Sequence, residues 1–205
     1  MLSEVRPLKM ARPGDNELLA QMRNGDRDAF AELYRRHWRS IYGFALQMTA
    51  APELAEDVTQ EAFMVLMRDT EGFDEQRGSL KAFLLGITRN HVLRRLRQER
   101  SLVAIENADE QAIAVDREKD LMIQSESIRE MRRAILKLPA HYREVVVLCE
   151  LQELSYAEAA AVLGCAVGTV RSRLHRARQM LTERLNVAQD ARAPLKKIES
   201  AGCFA

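Results

Sequence analysis

The chain has 205 residues, of which 47% are hydrophobic and 30% are charged, and its formal net charge is +1. This balance suits a foldable chain with one large or two small domains. Aromatic residues make up 5%, with 5 prolines and 9 glycines, which favours helices over a β-sandwich. No apolar run approaches the roughly 20 residues of a membrane span, and residues 1–14 lack a signal-peptide core, so we expect a cytoplasmic protein without membrane insertion.

The cysteines, the histidines and the known enzyme motifs give no sign of a catalytic centre. Three cysteines at wide spacing form neither a disulfide framework nor a zinc pattern. The four histidines are scattered, without a second ligand at metal-binding spacing. GxxxxGK[ST], HExxH and GxSxG are all missing from the sequence. The sequence therefore predicts no enzyme activity, no metal, no cofactor and no small-molecule substrate.

A first helical domain is predicted over residues 15–100, after a flexible extension over residues 1–14. Asp15 and Asp26 are placed to cap its first two helices. The second of these helices is long, because apolar residues recur at helical spacing through residues 30–48.

The third predicted helix, residues 52–68, begins at Pro52 and is acidic on one side. Between positions 53 and 75 there are eight acidic residues and one basic residue. Such a face is most often simply solvated, although it also suits docking to a basic partner. Composition alone favours the solvated face.

A polar loop over residues 69–79 leads into a fourth helix that Ser79 can cap. Between positions 77 and 100 there are seven basic residues and one acidic residue. This helix either neutralises the acidic helix across the bundle or contacts a nucleic-acid backbone.

Residues 101–127 carry seven acidic and two basic side chains without a clear period, which predicts a linker. A second helical domain follows over residues 128–186, and residues 187–205 form a tail. Met131 is expected on the buried side of the first helix in this domain. The valine-rich segment after Tyr142 is predicted to be helical, with a β-strand as the alternative from local propensity.

A helix-turn-helix pattern lies between residues 155 and 178. Ser155 and Glu158 form a capping box, and Gly164 supplies the left-handed residue that ends the first helix. The second helix has four arginines and no acid over residues 166–178. Its apolar stripe consists of Val170, Leu174, Ala177 and Leu181. A basic second helix after a short glycine turn is the arrangement that inserts into the DNA major groove.

The nearly neutral net charge indicates that the isolated chain binds DNA weakly. Four arginine–phosphate contacts would give a counterion-release slope of only about −3.6. The sequence therefore predicts that a partner supplies the remaining affinity.

Five segments together resemble the extracytoplasmic-function (ECF) group of bacterial RNA polymerase sigma factors. They are AFAELYRRH (29–37), AEDVTQEAF (55–63), FDEQRGSLKAFLLGITRN (73–90), LPAHYREVVVL (138–148) and LSYAEAAAVLGCAVGTVRSRLHRAR (154–178). Their order and separation are specific, whereas each alone is weak evidence. The last segment also resembles the DNA-binding module of response regulators, but those proteins carry a β/α receiver domain where this chain predicts helices.

The resemblance implies an all-α fold with two small four-helix domains joined by the acidic linker. Sigma domain 2, residues 15–100, would dock on core RNA polymerase and would recognise and open the minus-ten element. Sigma domain 4, residues 128–186, would bind the minus-thirty-five element of promoter DNA. Because polymerase would hold both domains, each needs only modest DNA affinity. The family analogy also implies a response to stress or an envelope signal and control by an anti-sigma factor.

The resemblance assigns roles to individual residues. The implied polymerase-binding residues are Asp57, Gln60 and Glu61. The implied minus-ten contacts are Asp74, Arg77, Ser79, Arg89, Asn90, Arg94, Arg95 and Arg97. The implied minus-thirty-five contacts are Thr169, Arg171, Ser172, His175 and Arg176. The chain departs from the common family pattern at Leu80, Phe83 and Arg94, which are positions concerned with strand capture.

Two other classes of function are the alternatives to this interpretation. An autonomous helix-turn-helix regulator would require a dimer interface and a palindromic site. A hydrolase or transferase in a helical fold is disfavoured, because the sequence lacks the motifs named above.

Overall fold

The computed structural model of the chain describes residues 13–106 and 126–190. Most of the predicted extension, linker and tail, with Cys203, lies outside the described residues. The described part is all-α, as predicted, and contains no strand. Its α-helices are α1 Asp15–Arg23, α2 Arg27–Thr49, α3 Pro52–Arg68, α4 Leu80–Glu106, α5 Glu126–Leu136, α6 Ala140–Val146, α7 Tyr156–Leu163 and α8 Val167–Asp190. None of these helices is both long enough and apolar enough to cross a bilayer.

The first domain consists of α1–α4, with α2 packed against the other three helices. The side chains that α2 brings to the centre are apolar and fully buried, and they include Leu33, Ile41 and Phe44. Leu66 of α3 and Leu84 of α4 complete this core, since both are 0% exposed. Burying each such side chain contributes about 1.5–3 kcal/mol, so this packing sets the mutual positions of α3 and α4.

The starts of α1 and α2 test two predicted caps. Asp26 caps α2, because its Oδ1 accepts hydrogen bonds from the backbone N–H of Asp28 at 2.8 Å and of Ala29 at 3.3 Å. The predicted cap at Asp15 is wrong, since Gly14 occupies the N-cap position of α1. The Asp15 carboxylate lies instead near α2, where a guanidinium and an imidazole compete more effectively for it than the helix N-terminus does.

The second domain consists of α5–α8 and a π-helix, Val147–Leu151, that continues α6. The valine-rich segment is thus helical, and its β-strand alternative is wrong, because its residues pack against α8 instead of pairing with a strand. The buried position expected for Met131 is also wrong, since this residue is 41% exposed. Ala134 and Ile135 form the buried side of α5 instead, at 7% and 2% exposure.

The two domains pack against each other directly. α4 contacts α7, and α2 contacts α5, α6 and the π-helix. Three long polar side chains are buried at this boundary, namely Arg143, Glu144 and Gln152 of the second domain. Each of them reaches a group of the first domain, so polar contacts as well as apolar packing define how the domains are joined.

Candidate nucleic-acid interface

The helix-turn-helix forms by the local rules that the sequence predicts. The Ser155 hydroxyl accepts a hydrogen bond from the Glu158 N–H at 3.2 Å, and the Glu158 carboxylate accepts one from the Ser155 N–H at 3.1 Å. Gly164 ends α7 in the left-handed conformation, with φ of 63°. The predicted apolar stripe of α8 is buried, from Val170 at 0% to Leu181 at 9% exposed. These contacts fix α8 against α7 and direct its basic face outward.

The exposed face of α8 carries the side chains that are expected to meet the minus-thirty-five element. Arg171, Ser172, His175 and Arg176 are exposed, and Thr169 is half-buried. The Ser172 hydroxyl donates to the Thr169 backbone carbonyl at 3.1 Å. Four of the five predicted side chains are therefore accessible to a DNA groove.

Tyr156 is a neighbour of this face that the sequence did not reveal. The guanidinium carbon of Arg171 lies 5.9 Å from the centre of the Tyr156 ring, which is within the range of a cation–π interaction. Arg178 pairs with Glu150 of the π-helix. Because these partners come from segments before α8, sequence spacing along α8 alone could not identify them.

The loop before α4 is shaped by Asp74 and Phe73. The Asp74 carboxylate accepts a hydrogen bond from the Gln76 N–H at 2.9 Å and caps a short 3-10 helix, Glu75–Arg77. Phe73 is buried, with its ring centre 5.6 Å from that of Phe83. A cleft of about 370 Å³ lies between this loop and α4, and Arg77 and Asn90 are among the residues that line it.

The arginines of α4 differ in their surroundings, because some are exposed to solvent and others pair with acidic side chains. Arg97 is exposed, as is Arg94, whose side chain is 59% accessible. Arg89 is only 19% accessible because it pairs with Glu144 of the second domain at 2.8 Å. Arg95 donates to Glu61 of α3 at 2.5 Å. Of the predicted minus-ten residues, the structure thus places four around one cleft, namely Asp74, Arg77, Ser79 and Asn90. It engages three others in ion pairs, namely Arg89, Arg94 and Arg95.

The exposed side of α3 mixes acidic, amide and thioether side chains. We call it the α3 strip, and it consists of Glu53, Glu56, Asp57, Gln60, Met64 and Met67. The exposure of the two methionines, 47% and 58%, was not predicted from the sequence. Two exposed thioethers one helical turn apart and beside charges suit a protein–protein contact.

Glu61 differs from the other predicted polymerase-binding residues, because it points toward α4. Its carboxylate contacts His91, Arg94 and Arg95. Burial opposes ionisation of Glu61, but the hydrogen bonds from Arg95 and His91 outweigh burial and lower its pKa below the ordinary value. Glu61 therefore ties α3 to α4 in addition to any role at the surface.

This lowered pKa predicts a pH dependence of stability. A carboxyl group whose pKa is lower in the folded state stabilises the fold above its unfolded pKa, about 4.3 for Glu, and this contribution is lost as the pH falls through the folded value. Replacing Glu61 with glutamine should therefore destabilise the protein at neutral pH, by an amount that shrinks below about pH 4.3. Urea unfolding at several pH values measures this difference. Glu17→Gln, at an exposed position of α1, serves as the control. A loss of unfolding free energy in Glu61→Gln that does not change with pH would contradict the prediction.

The part of the chain that the structure describes holds no group of three or more histidine, cysteine or acidic residues able to bind a metal. Cys149 and Cys165 are unpaired thiols that are half-buried. Burial raises the pKa of Cys149, with a further contribution from Glu150, which makes that thiol less reactive at neutral pH.

Comparison with known proteins decides the family. Residues 33–102 match the Sigma-70 region 2 family, and residues 128–181 match Sigma-70, region 4. ECF RNA polymerase sigma factor SigM of Mycobacterium tuberculosis is 34% identical over 83% of this chain and 84% of its own length. The chain belongs to the ECF RNA polymerase sigma factors. SigE of Mycolicibacterium smegmatis is 35% identical over 75% of this sigma factor. The aligned region spans 60% of the length of SigE.

A solved structure resembles the sigma factor across both domains. The sigma factor RpoE of Bartonella quintana, in complex with the anti-sigma factor NepR, has a TM-score of 0.66 and 28% identity. The similarity covers 77% of this chain and 97% of that one. The predicted family and the predicted two-domain helical fold are therefore confirmed.

Proposed function

We propose that this sigma factor binds core RNA polymerase and directs initiation at promoters with minus-thirty-five and minus-ten elements. The observation that carries the proposal is that regions 2 and 4 follow each other on one chain, each with an accessible polar surface. The protein performs no bond chemistry of its own and acts in the cytoplasm, where polymerase and promoter DNA are found. The domains correspond to residues 15–100 and 128–186, joined by the acidic linker over residues 101–127.

The helix-turn-helix supplies the upstream contact. Its exposed arginines can donate bidentate hydrogen bonds to guanine or pair with phosphates. Ser172 and His175 can donate hydrogen bonds to a base edge or to a phosphate. We assign the minus-thirty-five element to this face, with Thr169 at its edge.

The loop and α4 supply the downstream contact. Arg94, Arg95 and Arg97 would face the DNA backbone, while the cleft beside Asp74 and Ser79 would receive an unstacked base. Unstacking a base costs a few kcal/mol, and the cleft and the strand contacts would offset this cost.

The α3 strip supplies the contact with polymerase. Asp57 and Gln60 are exposed there and would face basic groups of the partner, while Met64 and Met67 would add apolar contact. Glu61 lies at the edge of the same surface, already paired with α4.

Regulation by an anti-sigma factor is also proposed. RpoE, the structural neighbour, is seen with NepR, and both domains of this chain expose surfaces that such a protein could cover. The inducing stress and the promoter sequence would be found by sequencing the transcripts that overexpression induces. Recovery of polymerase subunits alone, when the protein is purified from cells, would count against an anti-sigma factor.

The test of the whole proposal is reconstituted transcription from a promoter identified in this way. Transcript should form only when both core polymerase and this protein are present. Tight protection of the promoter by the isolated protein, together with a dimer in solution, would support the autonomous regulator instead.

Replacement of Arg171 with alanine tests the upstream contact. A base-contacting arginine contributes roughly 1–3 kcal/mol, so promoter binding by the polymerase complex should weaken about tenfold or more. Binding measured at several salt concentrations distinguishes contact with a base from contact with a phosphate. Loss of a phosphate contact would reduce the slope of log affinity against log salt concentration by about 1. Arg184→Ala, at an exposed arginine further along α8, should change binding less than twofold, on the order of a surface substitution. Equal effects of the two substitutions would rule out a specific contact by Arg171.

A further inference from the structure

The backbone before α7 places Tyr156 at the outer end of the helix-turn-helix. The π-helix Val147–Leu151 ends at Gln152, and Glu153 after it adopts the left-handed conformation, with φ of 57°. The chain then turns so that Ser155 caps α7 and Tyr156 is the first residue of that helix. Because helical side chains lean toward the N-terminus, a side chain at the first position projects beyond the helix end, and Tyr156 is 37% exposed.

Two arginines of α8 lie near the Tyr156 side chain. The guanidinium carbon of Arg171 lies over the ring, 5.9 Å from its centre. Arg178 follows seven positions later, about two helical turns along the same face. Hydrogen bonding with Glu150 is the main cause that raises the pKa of Arg178, and Tyr156 adds a smaller contribution. The ring is therefore shared by two exposed guanidinium groups of the basic helix.

The two arginines are held in chemically different ways. Arg178 Nε donates to Glu150 Oε1 at 3.2 Å, and its Nη2 donates to the same oxygen. Within the described parts of the chain, no acidic side chain pairs with Arg171, and the Tyr156 ring is the group that restrains it. A carboxylate occupies N–H donors and cancels the positive charge, whereas an aromatic face attracts the cation and leaves its donors available.

We propose that Tyr156 is a positioning residue for promoter recognition, which holds the Arg171 guanidinium in place for a base of the minus-thirty-five element. The inference rests on the proposed function. A long arginine side chain loses rotamer freedom when it binds a base edge, and this loss opposes binding. Restraint by the ring before DNA arrives reduces that loss, and the donors that would read guanine stay unoccupied.

Two substitutions of Tyr156 separate its ring from its hydroxyl. Tyr156→Leu removes the ring but keeps an apolar side chain, and Tyr156→Phe keeps the ring. An exposed cation–π interaction corresponds to about two- to fivefold in binding. Tyr156→Leu should therefore lower, by about two- to fivefold, the preference of the polymerase complex for the correct base pair at the position that Arg171 reads. Tyr156→Phe should retain this preference.

Competition binding of the polymerase complex, at one salt concentration, measures the preference at each position. Each base pair of the minus-thirty-five element is replaced in turn, and the pair that Arg171 reads is the one whose replacement no longer weakens binding by Arg171→Ala. Tyr156→Leu should lose preference at that pair and keep it at the others. An equal loss at every pair would show that the ring only supports the fold, and equal losses in Tyr156→Leu and Tyr156→Phe would assign the effect to the hydroxyl. Either result would overturn the inference.

A double substitution tests whether Tyr156 acts through Arg171. Tyr156→Leu combined with Arg171→Ala should bind no more weakly than Arg171→Ala alone, because the guanidinium to be positioned is gone. Combined with Arg184→Ala, at an exposed arginine further along α8, Tyr156→Leu should keep its full effect. Additive effects with Arg171→Ala would contradict the positioning role, because Tyr156 would then act on DNA independently. If Arg171→Ala binds every sequence like the unsubstituted protein, the proposed upstream contact is refuted, and the inference with it.

Discussion

Replacing Arg143 with alanine is expected to lower the free energy of unfolding by about 3 kcal/mol, because it leaves several buried carbonyls unpaired. The guanidinium donates to the carbonyls of Met48 and Leu138, both at 3.1 Å, and to that of Leu136. Burial lowers the pKa of Arg143, which shows that water stabilises this charge less than it would at the surface. Urea unfolding followed by far-UV circular dichroism measures the loss.

Two further substitutions show whether the lost hydrogen bonds cause the loss of stability. Arg143→Lys keeps the charge and the aliphatic stem but cannot span three carbonyls with one flat group, so its effect should be intermediate. Arg184→Ala removes an exposed arginine of α8 and should change stability by less than about 0.5 kcal/mol. If Arg143→Ala costs no more than Arg184→Ala, the hydrogen bonds to the carbonyls contribute nothing to stability.

The features that could be predicted from the sequence are those that depend on neighbouring residues. The Asp26 cap, the capping box at Ser155 and the left-handed Gly164 each involve groups within a few positions of one another. The apolar stripe of α8 follows from helical spacing in the same way. Local geometry leaves these positions few alternatives, so the helix-turn-helix appears where the pattern places it.

The features that could not be predicted depend on the contact between domains. Arg143, Glu144 and Gln152 look like ordinary polar positions of a helix, yet they are 9%, 4% and 8% exposed. Their partners Met48, Arg89 and Ser40 are separated from them by 95, 55 and 112 positions. No periodicity within one helix encodes pairs this distant.

Contacts between residues far apart in the sequence also explain why the predictions for Asp15 and Met131 are wrong. They explain as well why the pairing of Glu61 with α4 was not predicted. Asp15 is an acceptable cap by residue type, but Arg36 and His37 of α2 bind its carboxylate. Met131 is apolar but remains 41% exposed, because Ala134 and Ile135 form the buried side of α5. Glu61 belongs to an acidic helix face, yet the basic helix beside it pairs with this carboxylate. Glu61 thus neutralises basic charge across the bundle, while the exposed α3 strip is the surface proposed to meet a partner.

Substitution of Asp57 is therefore the most specific test of polymerase docking through α3. Asp57 is exposed and belongs to the α3 strip, whereas Glu61 is engaged with α4. Replacing Asp57 with arginine would place a positive charge against a basic partner, and like charges in contact cost several kcal/mol, so binding to core polymerase should weaken roughly a hundredfold. Binding to immobilised core polymerase and promoter-dependent transcription should fall together, because the second depends on the first.

Stability and charge need to be separated from docking in this experiment. Asp57 lies outside the buried core, so Asp57→Arg should unfold in urea within about 0.5 kcal/mol of the unsubstituted protein. Glu17→Arg makes the same change of charge on the exposed side of α1 and should leave polymerase binding within about twofold. Asp57→Asn removes the charge without reversing it, so it should weaken binding by less than the arginine does. If Asp57→Arg and Glu17→Arg bind polymerase equally well, the α3 strip is not the docking surface.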